Sequence, residues 1–140
     1  MRELRTNKGV YNRVYCVFDK DKHDSFEAAK AKITASKPPN GATIHAITST
    51  PCIEIWILLH FVYNTRSFSA ASSGFHCALV VRQLRRHIPD YDKGNSKSFE
   101  LVGDKINDAI QRAKRLDVFH QTSGNVNPPT NVHELVEYLI

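Results

Sequence analysis

The sequence predicts an α/β domain in which a short parallel sheet is flanked by helices. An apolar run at 14–18 and a second β-rich segment at 43–48 have strand character, and the residues between them have helical spacing. Strand, helix and strand within about 35 residues form a βαβ unit, whose two strands run parallel. The length of 140 residues fits one domain, residues 1–140, with a buried core.

The first strand ends on two carboxylates. The run Val-Tyr-Cys-Val-Phe at 14–18 is typical of a strand buried on both faces, and Asp19 and Asp21 follow it. Alternation along the extended chain points both carboxylates to one side, at the edge where open α/β sheets carry their sites. Two close anions need a cation, so this D-x-D predicts a site for Mg²⁺ or Mn²⁺. The alternative is a solvated Asp/Lys turn.

The helix of the βαβ unit should begin with a capping box. Asp24-Ser-Phe-Glu27 has that pattern, and Pro38-Pro39-Asn40-Gly41 ends the helix. Thr43–Thr48 is predicted as the second strand. The side chains expected to face the core are Phe26, Ala29 and Ile33.

The segment 52–61 predicts a central helix that is apolar on all sides. Thr50 is the expected N-cap and Pro51 the first helical residue. Glu54 carries the only formal charge in this segment, and a buried carboxylate is costly without a partner. We expect Glu54 to lie near the sheet edge that carries the two aspartates. Backbone amides at the helix start, or an arginine, are the alternative partners.

The second half of the chain predicts a loop at 63–75 and then three helices. The first, at 77–87, carries Arg82, Arg85 and Arg86 on one face, which predicts a phosphate-binding surface for DNA or RNA. A solvated helix face is the alternative. The longest helix should span 99–119, with Gly103 as a weak point. Asn131 should cap a last helix whose expected buried residues are Val132, Leu135, Val136 and Leu139.

Composition restricts the class of protein. The net charge of +5 indicates a polyanionic partner. No stretch approaches the roughly 18 apolar residues of a membrane span, and no apolar leader stands at the start, so a cytoplasmic protein without membrane contact is expected. Cys16, Cys52 and Cys77 are few and widely spaced, which predicts buried thiols and neither a disulfide framework nor a zinc site.

Three blocks, at 17–23, 51–61 and 127–136, together resemble the RloB-like family. The resemblance implies a core similar to the Toprim fold and a role in bacterial restriction and abortive-infection loci, that is, in phage defence. It also implies an ABC-type ATPase as a partner, because such an ATPase is often encoded beside RloB-like proteins. The chain itself has no P-loop, so any ATP hydrolysis would belong to that partner. In Toprim proteins a D-x-D and an upstream glutamate gather divalent metal for phosphodiester chemistry.

The resemblance implies a role for each residue of the predicted site. Asp19 and Asp21 would be the catalytic metal ligands, and Glu54 would have a metal-linked or structural role. His23 would shuttle a proton or contact phosphate, unless it is a solvent-exposed residue at the start of a helix. The 18 residues before Asp19 leave no room for the family's preceding strand–helix pair with its glutamate, so the chain is expected to be truncated at its N-terminus.

The function expected from this resemblance is that of a metal-dependent nuclease in phage defence. A non-catalytic Toprim-like subunit, which docks on an ATPase or on nucleic acid, is the main alternative. A phosphatase of the haloacid dehalogenase type is a weaker alternative, because that superfamily has Thr or Val where this chain has His23.

Overall fold

The computed structural model describes residues 11–20, 25–38, 41–65, 76–94, 98–123 and 130–140. The chain is a mixed α/β structure, and a 3₁₀ turn at Gly103–Lys105 separates its fourth and fifth helices. The elements in chain order are β1 (Arg13–Asp19), α1 (Phe26–Ala35), β2 (Thr43–Ser49), α2 (Glu54–Leu58), α3 (His76–Leu84), α4 (Ser98–Val102), α5 (Ile106–Thr122) and α6 (Val132–Leu139).

The predicted parallel sheet is confirmed. β1 and β2 pair in parallel from Arg13 opposite Thr43 to Asp19 opposite Ser49. The pairing continues one residue further, since the Lys20 amide donates to the Ser49 carbonyl at 2.9 Å. Both strands therefore end at the same edge of the sheet.

The expectation that β1 is buried on both faces is wrong. Val17 is 51% exposed, and most other residues of the strand are only partly buried. In the described residues the sheet has two strands, so β1 has a neighbour on one side only. Helix α1 packs against β2, which leaves β1 the less covered strand.

The far edge of β2 is covered by the segment just before α6. Asn131 Oδ1 accepts a hydrogen bond from the Thr48 amide at 2.7 Å, and Asn131 Nδ2 donates to the Ala46 carbonyl at 3.0 Å. Thr130 forms an isolated antiparallel bridge with Ser49. This segment therefore satisfies backbone groups that would otherwise form an open sheet edge.

Helix α2 lies between two apolar clusters, which explains why it is apolar on all sides. Ile55, Ile57 and Leu58 belong to a cluster with α3. Trp56, together with Leu59 just past the helix, belongs to a second cluster with β2, α5 and α6. The prediction of a central, buried helix is confirmed.

Helix boundaries differ from the expectations in two places. The central helix begins at Glu54 with Ile53 as its N-cap, so Thr50 does not cap it, and the Thr50–Pro51 peptide bond is cis. The predicted helix 99–119 is interrupted at Gly103, where α4 gives way to the 3₁₀ turn. The backbone freedom of glycine accounts for a break at that residue.

Two predicted caps are not formed as expected. Asp24 lies outside the described residues, and Ser25, the N-cap of α1, makes no side-chain capping bond. Asn131 is the N-cap residue of α6, but its side chain bonds to β2 and not to the helix. Leu139, predicted to be buried, is 69% exposed in the last turn of α6. No helix in the described part of the chain is long and apolar enough to cross a membrane.

Candidate functional site

Asp19 is the last residue of β1 and lies at the sheet edge where both strands end. Its side chain is partly buried. The two other residues predicted beside it, Asp21 and His23, lie outside the described residues. The predicted position of Asp19 at the end of a parallel strand is therefore confirmed, whereas the D-x-D pair as a unit stays a prediction.

Glu54, at the start of α2, is 3% exposed and has side-chain partners, as its burial required. The Tyr91 hydroxyl donates to Glu54 Oε1 at 2.8 Å. The Lys93 ammonium lies 3.8 Å from the same oxygen, although the Lys93 side chain is 59% exposed. Neither an arginine nor the backbone amides expected from the sequence is its main partner.

The surroundings of Tyr91 raise the pKa of its hydroxyl. Burial raises the pKa of the Tyr91 hydroxyl well above its usual value, and the hydrogen bond to Glu54 raises it further. The negative charges of Asp92 and Asp19 make smaller contributions in the same direction. Tyr91 is neutral, and hence a hydrogen-bond donor, at ordinary pH.

Sequence reasoning missed Tyr91 and Lys93, which lie in a segment that has the composition of a turn. One signal was present in the sequence, namely that a single carboxylate in an apolar helix requires a donor from elsewhere in the chain. That signal does not identify the donor, because Tyr91 is 37 residues away from Glu54.

The predicted arginine surface, formed by Arg82, Arg85 and Arg86, is exposed. Arg82 lies in the last turn of α3, and the other two lie in the turns that follow. Arg85 Nε donates to the Tyr91 carbonyl at 3.2 Å. The arginine surface therefore adjoins the segment that carries Tyr91.

The prediction for two of the cysteines is wrong. Cys52 and Cys77 form a disulfide that links the residues before α2 to the start of α3, with Cα atoms 5.7 Å apart. They meet because α2 and α3 pack against each other within one apolar cluster. Cys16 is a free, partly buried thiol, as expected. Lys93 Nζ donates to Cys77 Sγ at 3.1 Å, so the disulfide borders the pocket of Glu54.

Two histidines are buried. His60 is 4% exposed, and its Nδ1 donates to the carbonyls of Trp56 and Ile57, at 3.0 Å and 3.2 Å. Burial lowers its pKa, as for a histidine of the core. His133, for which the sequence predicts no role, lies 3.2 Å from Asp117 and joins α6 to α5. We assign both to the packing of the helices.

The family model for RloB-like proteins matches residues 2–139. The chain belongs to the RloB-like protein family. This confirms the resemblance seen in the three sequence blocks, and the match extends over nearly the whole chain. A comparison with curated proteins and one with solved structures gave no significant match.

In this RloB-like chain the described site has a defined arrangement. Asp19 stands at the strand end, Glu54 at the start of the buried helix, and Tyr91 is under the influence of both carboxylates. Lys93 and the arginine surface supply positive charge on the solvent side. Such a combination of oxygen donors and exposed cations suits the binding of a divalent metal and a phosphate.

Proposed function

We propose that this RloB-like chain is a metal-dependent nuclease that cleaves phosphodiester bonds of DNA or RNA. The observation that carries the proposal is the position of Asp19, the first carboxylate of the D-x-D, at the carboxyl edge of a parallel sheet where both strands end. That edge is where open α/β sheets bind ligands. The buried Glu54, held by the Tyr91 hydroxyl, supports the proposal as a second carboxylate with a fixed position. A Toprim-like core and a role in phage defence beside an ABC-type ATPase are part of the proposal and rest on the family.

The donor set fits Mg²⁺ or Mn²⁺, which prefer carboxylate oxygens. Asp19 and Asp21 are the proposed ligands, and Asp19 is the one among the described residues. When bound, such an ion polarises a phosphate oxygen and lowers the pKa of a bound water. Glu54 is already engaged by Tyr91 and Lys93, so we assign it a positioning role in place of direct coordination.

The residues around this edge prepare the site. Glu54 fixes the Tyr91 hydroxyl, and the buried tyrosine stays neutral and keeps its proton. Lys93 and the arginine surface, which are exposed, attract the phosphate backbone through electrostatic forces that weaken with salt. His23 remains a candidate for proton transfer.

Calorimetric titration of Mn²⁺ into the oxidised chain tests the metal site. We expect binding by the parent, loss of binding in the variant Asp19→Asn/Asp21→Asn, and unchanged binding in the control Asp108→Asn, whose carboxylate is exposed on α5. Cleavage of plasmid DNA and of single-stranded RNA with Mn²⁺ follows. Asp19→Asn should lower the cleavage rate by about 100-fold or more, which corresponds to about 2.7 kcal/mol in the barrier.

The alternative outcome is equally specific. If the folded parent binds no Mn²⁺ and cleaves neither substrate, the nuclease proposal is wrong, and the non-catalytic interaction subunit becomes the leading function. Retention of phage protection by Asp19→Asn in cells that carry the intact locus would point the same way. Equal loss of activity in Asp108→Asn would show that the effect of Asp19→Asn is not specific to the site.

A further inference from the structure

A second group of metal-ligating side chains lies on the other side of Glu54. Cys52, Glu54 and Cys77 each offer one ligand atom, and these atoms lie within 4.8 Å of one another. All three residues are buried, at 1%, 3% and 7% exposure. In the structure the two sulfurs are bonded to each other, so they are available to a metal only after reduction.

We propose that reduction of the Cys52–Cys77 disulfide creates a Zn²⁺ site formed by two thiolates and the Glu54 carboxylate. The reductant is a dithiol, which gives two electrons and two protons to the disulfide and itself becomes a disulfide. Zn²⁺ then binds the two sulfurs as thiolates and releases the two thiol protons. The oxidised and the metal-bound forms exclude each other, because the same sulfur atoms make either bond.

The two oxygens of Glu54 have separate tasks in this arrangement. Oε1 accepts the Tyr91 hydroxyl at 2.8 Å, whereas Oε2 lies 3.6 Å from Cys77 Sγ. With Zn–S bonds of about 2.3 Å and Zn–O bonds of about 2.1 Å, tetrahedral ligands lie roughly 3.4 Å to 3.8 Å apart. The spacing of Oε2 and Cys77 Sγ is already in that range, so Zn²⁺ can bind Oε2 without loss of the tyrosine hydrogen bond.

The charges also match. Two thiolates and one carboxylate carry three negative charges, and Zn²⁺ balances two of them. The third is balanced by the Lys93 ammonium, which lies 3.1 Å from Cys77 Sγ and 3.8 Å from Glu54 Oε1. Buried charges persist only when they are compensated in this way.

The chemistry of the ligands selects the metal and separates this site from that of Asp19. Thiolates favour Zn²⁺ over Mg²⁺ or Mn²⁺, which prefer oxygen. Three protein ligands leave a fourth position on zinc open, as in sites that bind a water or a substrate group. The inference shares Glu54 with the proposed nuclease site but does not depend on nuclease activity, since Zn²⁺ binding is measured without nucleic acid.

The test compares oxidised and reduced forms of the full chain. The chain is reduced with a phosphine, which is not a thiol ligand, and is titrated with Zn²⁺ in competition with a chromogenic chelator. Co²⁺ is used as a spectroscopic substitute, because its thiolate charge-transfer absorption reports sulfur ligands. We expect one more Zn²⁺ bound per reduced chain than per oxidised chain, and a thiolate band with Co²⁺ only after reduction.

The variants identify the ligands. Cys77→Ser and Cys52→Ser should each abolish the thiolate band or halve it. Glu54→Gln should weaken Zn²⁺ binding at least tenfold, because loss of even an outer-shell partner typically weakens metal binding about 10- to 100-fold. Cys16→Ser, at the free cysteine of β1, is the control and should bind as the parent does. Far-UV circular dichroism checks the fold of each variant.

The outcomes decide the proposal even if reduction loosens the fold. A reduced chain that takes up no more Zn²⁺ than the oxidised chain, or that unfolds on reduction and does not regain its circular dichroism with Zn²⁺, overturns it. Equal loss of binding in Cys16→Ser would do the same. Failure here leaves the Mn²⁺ titration of the oxidised chain untouched, so the two proposals stand or fall separately.

Discussion

Removal of one hydroxyl group tests whether Tyr91 is the group that satisfies the buried Glu54. In Tyr91→Phe the ring and its apolar contacts remain, but Glu54 Oε1 loses the donor that lies 2.8 Å away. The ion-pair partner that remains among the described residues is Lys93, at 3.8 Å and 59% exposed, which compensates the charge only in part. The carboxylate, itself 3% exposed, is left with a large part of its desolvation uncompensated.

The expected loss follows from the kind of bond removed. A hydrogen bond to a charged group contributes about 1.5 to 3 kcal/mol, so Tyr91→Phe should lower the free energy of unfolding by about 2 kcal/mol. For a chain of 140 residues such a loss lowers the Tm by roughly 6 °C. Tyr138→Phe is the matched control, because Tyr138 is 52% exposed. Its free energy of unfolding should stay within about 0.5 kcal/mol of that of the parent.

Urea unfolding followed by circular dichroism, with the disulfide intact, measures both variants. Removal of both polar partners completes the test, because two apolar groups that replace a buried polar pair can be nearly neutral. Glu54→Leu should therefore reduce the effect of Tyr91→Phe to less than about 1 kcal/mol, as a double-mutant cycle would show. A parent and a Tyr91→Phe variant with equal stability would refute the reasoning.

Three further predictions concern stability. Burial lowers the pKa of His60 in the folded chain. As the pH falls below about 6.5, the unfolded chain therefore binds a proton at this residue before the folded chain does. The free energy of unfolding then decreases by at most about 1.4 kcal/mol per pH unit on account of His60. His60→Gln should weaken that dependence between about pH 7 and pH 5 in urea unfolding. Asn131→Ala removes two bonds to β2 and should destabilise the chain by about 2 kcal/mol, unlike Asn107→Ala at an exposed position of α5. Lys114→Ala breaks an ion pair whose partners are 48% and 40% exposed and should change thermal unfolding by less than about 0.5 kcal/mol.

The elements that the sequence predicts well are those that depend on local pattern. The βαβ unit and the parallel pairing follow from residues that are neighbours along the chain, as does the weak point at Gly103. The start of α2 was misjudged because Thr50 and Pro51 match the chemistry of a helix N-terminus, whereas the chain forms a cis peptide bond there and begins the helix at Glu54. Local patterns do not distinguish two such starts that lie a few residues apart.

The candidate site was predictable in its charged groups and not in their partners. Asp19 is recognisable as a carboxylate at the end of an apolar run, and Glu54 as the one formal charge within an apolar segment. Tyr91 lies 37 residues from Glu54, and Cys77 lies 25 residues from Cys52, so both contacts are products of tertiary packing. The disulfide contradicted the expectation from cysteine number because spacing along the sequence says nothing about distance between α2 and α3.

Stability alone does not account for a buried glutamate at the start of an apolar helix. A buried, paired carboxylate is often no more stabilising than apolar side chains of similar volume. Glu54 is nonetheless held by Tyr91 and Lys93, and the charge of Asp19 acts on the same tyrosine. If Glu54 and Tyr91 serve the site at the end of β1, replacing both should abolish activity and leave stability nearly unchanged. We therefore expect Glu54→Leu/Tyr91→Phe to unfold within about 1 kcal/mol of the parent and yet lose Mn²⁺-dependent cleavage. A stable double variant that cleaves as the parent does would assign both residues to packing.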